Sequence, residues 1–172
     1  MEQKPTIFDI AKKYGLILGL ISIAYFVILN IAGLVTNQLA SYVGYIFSIA
    51  IIFMAHKAYK NEGDGYMTYG QGLGIGTLTA LISGIISSIF TFIYIKFIDD
   101  SFIEQLLDKM INDMEAKGMS DAEIDQAMGF SSFMMTPIGI TIAGIIGAIF
   151  IGFIISLIIS AFTKNTNPEE EI

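Results

Sequence analysis

The sequence predicts an all-α integral membrane four-helix bundle, with an extracytoplasmic amphipathic helical hairpin between spans three and four. Three observations carry that expectation. Residues 14–35, 39–55, 73–95 and 137–163 are long apolar runs without a formal charge. Hydrophobic residues make up 54% of the chain and charged residues 15%, where a soluble domain has roughly 45–50% and about 25%. The net charge of −7 is concentrated in one segment: residues 99–130 hold nine acids and only Lys109 and Lys117. The remaining acids and lysines balance.

Each run suffices for a hydrocarbon core of about 30 Å at 1.5 Å per residue. With their interfacial flanks the spans are expected at about 14–35, 39–58, 72–98 and 137–163, all within a single membrane domain, 1–172. A charge at a helix centre costs roughly 2.5–3.5 kcal/mol on insertion scales, and none of the four runs requires one. The first run is longer than the 7–15 apolar residues of a typical signal peptide, so it reads as a retained span. Thr36, Asn37 and Gln38 make a short turn to the second. Lys96, near the end of the third, can carry its ammonium to the interface along its flexible stem.

Lysines predict orientation. Lys4, Lys12 and Lys13 precede the first span, Lys57 and Lys60 follow the second, and Lys164 follows the fourth. Both termini are expected in the cytoplasm. Tyr14, Tyr59, Tyr66 and Tyr69 would then mark the inner interface, and Tyr42, Tyr45 and Tyr94 the outer one.

Small residues recur at every fourth position. Gly15 and Gly19 form GxxxG in span one. Span three has Gly72, Gly76, Ala80, Gly84 and Ser88; span four has Gly144, Ala148, Gly152, Ser156 and Ser160. Four-residue spacing keeps one helix face smooth, and smooth faces let backbones approach where lipid is as apolar as leucine. The stripes therefore predict packing of span three on span four. A dimer seam or a narrow pathway using Gly76, Gly84, Gly144 and Gly152 is the alternative.

The acidic segment is too polar to insert. Ser101 and Glu104 fit a capping box, as do Ser120 and Glu123. Phe102, Ile103, Leu106, Leu107, Met110, Ile111 and Met114 recur at helical spacing, and Gly118 suits the residue after a helix end. A helical pair with one apolar and one acidic face is expected over 99–130. An acidic helix gains nothing from anionic lipid, so its apolar face is expected on the bundle or on a partner.

Several chemistries lack their residues. There is no Cys, hence no disulfide or thiolate ligand. There is no Arg and no basic patch, which excludes nucleic acid as a partner. His56 is the single histidine and reads as a polar group at the end of a span. Asn30, the amide inside a span, reads as an interhelical hydrogen-bonding group. The glycines of 70–76 lack the strand and lysine of a phosphate loop. No catalytic residue, metal site or cofactor is predicted, and the chain does not read as an enzyme.

The stretch HKAYKNEGDGYMTYGQG, residues 56–72, followed by a glycine-rich re-entry and an acidic helix pair before the last span, resembles a family of small bacterial membrane proteins. The family is common in the Bacteroidetes group and is catalogued as domain of unknown function 4199. The resemblance covers nearly the whole chain. It implies a multi-pass protein of the bacterial inner membrane and supplies no catalytic residue. Within the loop, Thr68 is placed to cap the third helix. His56, Lys57, Tyr59, Lys60 and Tyr69 are expected to form a cytoplasmic anchor at the lipid headgroups. The expected partners are the lipid bilayer and either a second copy or another membrane protein. The expected role is a scaffold or interaction protein, with a homo-oligomeric small channel or transporter subunit as the alternative.

Overall fold

The structure is a computed structural model that describes residues 5–167, apart from the side chain of Phe130. Lys4 lies outside the described residues. Six helices follow in order: α1 (Ile7–Ile31), α2 (Gln38–Glu62), α3 (Tyr69–Phe97), α4 (Ser101–Ala116), α5 (Asp121–Ser131) and α6 (Pro137–Thr163). There is no strand among the described residues, and α1, α2, α3 and α6 are long and apolar enough to cross a membrane.

The apolar runs set the middles of these helices, and local hydrogen bonding sets their ends. α6 occupies 137–163 as expected. Thr136 accepts the Gly139 N–H, and Pro137 needs no donor in the first turn. α1 starts at Ile7 rather than near residue 14, because Thr6 and Asp9 close a capping box upstream of the lysines. α2 continues beyond residue 58 to Glu62. Thr68 caps α3 in a box with Gln71, so α3 begins before the span expected at 72.

Two helix ends need glycine. Gly33 (φ 64°) and Gly118 (φ 79°) adopt the left-handed backbone after α1 and α4. In each case the glycine N–H and the next N–H return to carbonyls of the last turn: Gly118 to Glu115 at 2.8 Å and Met119 to Met114 at 3.2 Å.

One capping expectation is corrected. Ser101 and Glu104 form no box; Asp100 is the N-cap of α4 and makes no side-chain capping bond. The Asp99 carboxylate takes the Ser101 N–H instead, at 3.0 Å. The Ser120–Glu123 box does form and starts α5.

α3 is the central helix. It packs most extensively on α6 and on α1, while α2 touches all three. The GxxxG of α1 works within this bundle: a Cβ on Gly15 would lie 2.8 Å from Ile82 Cβ, and one on Gly19 would lie 3.1 Å from Ile86 Cβ. α1 and α3 run in the same direction. Outward-facing side chains such as Phe53, Ile89, Phe150 and Phe162 are exposed and apolar. Such a surface requires an apolar solvent.

The bundle has two different ends. The near end holds the α2–α3 turn and the end of α6. The far end carries α4 and α5. Phe102 of α4 is buried, 5.4 Å from the ring of Phe26 of α1, which in turn meets Tyr94 of α3 at 5.3 Å. The first turn of α4 thus rests on the bundle. α5 makes its contacts of any extent with α4 alone.

Candidate functional site

At the near end three helices are tied through one side chain. The ring of His56 on α2 is fully buried. Its Nε2 lies 2.8 Å from the Gly72 carbonyl of α3, and its Nδ1 lies 2.8 Å from Thr163 Oγ1 of α6. A carbonyl only accepts, so Nε2 is protonated and donates to Gly72. Thr163 Oγ1 also donates to the Ile159 carbonyl at 2.8 Å. In a neutral ring Nδ1 is an acceptor, and the one Thr163 proton then serves both.

The neighbouring chain reinforces this junction. Lys60 Nζ donates to the Thr163 carbonyl at 2.9 Å, bringing a positive charge to the end of α6, whose last turn before the Lys164 cap has none. Met67 and Asn165 exchange both backbone hydrogen bonds at 2.8 Å. Asn165 Nδ2 donates to the Gly65 carbonyl at 3.0 Å. The α2–α3 turn is stitched to the residues after α6.

His56 thus faces the helix junction rather than headgroups. Burial and two hydrogen bonds replace the interfacial position expected of it. Tyr59 is half-buried against the cluster of Ile10, Ala55, Ala58, Met67 and Ile75. Lys60 points to the end of α6. Lys57 is exposed, and Tyr69 is exposed with its hydroxyl 3.3 Å from the Leu157 carbonyl. These five residues do not form one surface. Thr163, Met67 and Asn165, which complete the junction, carry no signal in the sequence.

The small-residue stripes of α3 and α6 meet from Gly72 with Ser160 to Ser88 with Gly144. The position of a Cβ on Gly72 lies 2.8 Å from Ser160 Oγ, and one on Gly76 would overlap Ser156. Gly152 would overlap Ala80, Gly84 would approach Ala148 Cβ to 2.6 Å, and Gly144 would approach Ser88 Oγ to 2.8 Å. Each four-residue step up α3 meets a four-residue step down α6, the register of an antiparallel pair. Gly76, Gly84, Gly144 and Gly152 thus make close α3–α6 contacts within the chain, while Gly84 and Gly152 also border the cavity described below.

The far half of the bundle is less tightly closed. The buried residues of α2 all lie from Ile51 onward; its first half stands off the α3–α6 seam. A cavity of about 340 Å³ fills the gap, lined in part by Ser22, Tyr45, Ser48, Ser83, Ser87 and Gly147. Ser48 and Ser87 already donate to carbonyls of their own helices, Gly44 and Ser83, at 3.2 and 2.9 Å. A second cavity of about 300 Å³, lined by Tyr25, Phe26, Leu29, Phe47 and Phe102, shares Ser22 and Gly44 with the first.

Among the described residues no three His, Cys, Asp or Glu side chains are grouped to hold a metal ion. Six helices, four of them of spanning length around a small-residue seam, define an all-helical protein of multi-span membrane type. Residues 13–165 match the family described as protein of unknown function (DUF4199), and the chain belongs to that family. No curated protein and no solved structure matches it.

Proposed function

We propose that this chain is a scaffold or interaction protein of the bacterial inner membrane, with both termini in the cytoplasm and α4–α5 outside. The exposed acidic surface of α4–α5 carries the reading. Glu104, Asp108, Asp113, Glu115, Asp121 and Asp125 are all exposed. Lys109 pairs with Asp113 at 2.9 Å, which leaves a strong excess of negative charge. α4 is seated on the bundle by Phe102, so α5 is held away from the spans at a fixed place. A partner with a basic surface is the complement, because opposite potentials speed encounter and fix register. The spans act as the platform.

Chemical crosslinking in membranes, followed by pull-down of a terminally tagged chain, tests this. A discrete adduct is expected, lost when residues 101–128 are deleted or when Asp121 and Asp125 are replaced by Asn. Unchanged capture after the deletion would overturn the reading.

The hydroxyl-lined cavity favours a second reading, a homo-oligomeric small channel or transporter subunit. The α3–α6 seam offers no passage, so a pathway would have to form between copies. Ion flux from purified protein in liposomes distinguishes the two.

A further inference from the structure

The far-half cavities form a slot with the dimensions of one lipid chain. The two cavities meet at Ser22 and Gly44. Along α1 their lining runs from Leu18 to Leu29, which is about 16 Å at 1.5 Å per residue. A single leaflet is about half of the ~30 Å hydrocarbon core, so the slot is about as long as a leaflet is thick. Its upper part is largely aromatic, and its lower part is mostly glycine, alanine and serine beside Leu18, Tyr45 and Ile151. A Cβ added at Gly44 or at Gly147 would meet nothing within 4 Å. The slot is bounded by helices of spanning length, and what reaches such a depth comes from the bilayer.

Chain neighbours of the slot residues Val35 and Phe102 line a space of different chemistry, a polar cavity of about 540 Å³ between the α1–α2 turn and α4. Asn37, Gln105, Asp108, Lys109, Asn112 and Asp113 line it. Lys109, which pairs with Asp113 at 2.9 Å, and three amides are donors for a phosphate. The two carboxylates are acceptors for an ammonium, and with the other acids of α4–α5 they repel a net anion.

We propose that the slot binds one diacyl lipid of the leaflet next to α4, with an amine-bearing zwitterionic headgroup. One acyl chain occupies the space between the first half of α2 and the α3–α6 seam. The headgroup lies between the α1–α2 turn and α4. A bound lipid joins α4 to the spans beyond the contact that Phe102 supplies. This binding does not depend on which side of the membrane α4 faces, nor on α5 having a partner.

Native mass spectrometry of the purified full chain tests the proposal. The protein is taken from mixed micelles containing equal phosphatidylethanolamine and phosphatidylglycerol with identical chains. One bound phosphatidylethanolamine is expected, retained several-fold over phosphatidylglycerol. Gly44→Leu with Gly147→Leu fills the slot and should reduce retention at least tenfold while gel-filtration profile and helix content are kept. Asp108→Asn with Asp113→Asn should erase the headgroup preference but leave a lipid bound. For the unaltered protein, phosphatidylethanolamines of increasing chain length should bind more tightly only until a chain spans one leaflet; this measurement stands even where a leucine variant fails to fold. A statistical spread of several lipids, indifferent to headgroup, chain length and the leucine substitutions, would overturn it.

Discussion

Gly84 of α3 and Ala148 of α6 face each other so closely that a Cβ on Gly84 would stand 2.6 Å from the Ala148 Cβ. The same crowding repeats on either side, from Gly72 with Ser160 to Ser88 with Gly144. In lipid, helices gain little from burying apolar surface against each other, so close backbone approach is what holds them.

Reciprocity at this pair is directly testable. Gly84→Ala should destabilise the bundle by about 1–3 kcal/mol, the range for overpacking a filled interface. Ala148→Gly in the same chain should restore most of the loss. Denaturation of the purified protein gives the coupling, expected within about 0.5–3 kcal/mol for residues in contact. Strict additivity would mean that the two residues do not touch.

The junction at His56 should be sensitive to truncation. His56→Ala removes two buried interhelical hydrogen bonds, to the Gly72 carbonyl and the Thr163 hydroxyl, and should cost about 1–3 kcal/mol at roughly 0.5–1.5 kcal/mol each. Lys57→Gln, on the exposed neighbour, should stay within about 0.5 kcal/mol of the parent. Equal losses from both substitutions would show that His56 does not join the helices.

The left-handed turn after α4 separates two glycines of similar exposure. Gly118→Ala should cost about 1–2 kcal/mol, because its φ of 79° is strained for any side chain. Gly129, inside α5 with open space around it, should gain roughly 0.5–1 kcal/mol when replaced by Ala. Amide exchange of α4 and α5 reads both effects.

The start of α5 should respond to acid. Hydrogen bonds from the Ser120 backbone N–H and hydroxyl hold the Glu123 carboxyl below its ordinary range. A carboxyl with a depressed folded pKa stabilises above its unfolded pKa, and the contribution disappears as pH falls through the folded one. Protection of the first-turn amides of α5 should therefore fall on acidification below the usual glutamate range. Glu123→Gln should remove that dependence.

Local patterns in the sequence predicted much of this architecture. Four apolar runs place four helices, and the four-residue stripes identify which faces of α3 and α6 meet. Ser120 with Glu123 and Gly118 announce their turns because each signal lies within a few residues. What was not legible depends on tertiary proximity. His56 reads as interfacial because Thr163 lies 107 residues away, and nothing local marks it as a partner. Ser101 with Glu104 has the right spacing for a box, yet Asp99 supplies the acceptor first. The extension of α1 to Ile7 was hidden because a search for uncharged runs stops at Lys13. The gap behind the first half of α2 depends on how helices diverge, which no periodicity records.

The proposed topology, with α4–α5 on the side opposite the termini, is the claim on which the interaction reading rests. The chain has no cysteine, so single cysteines report without background. Asn61→Cys and Asp125→Cys would be labelled with a membrane-impermeant maleimide in intact cells and again after permeabilisation. The account predicts that Cys at 125 reacts in intact cells and Cys at 61 only after permeabilisation. Labelling of both positions under the same condition would contradict it.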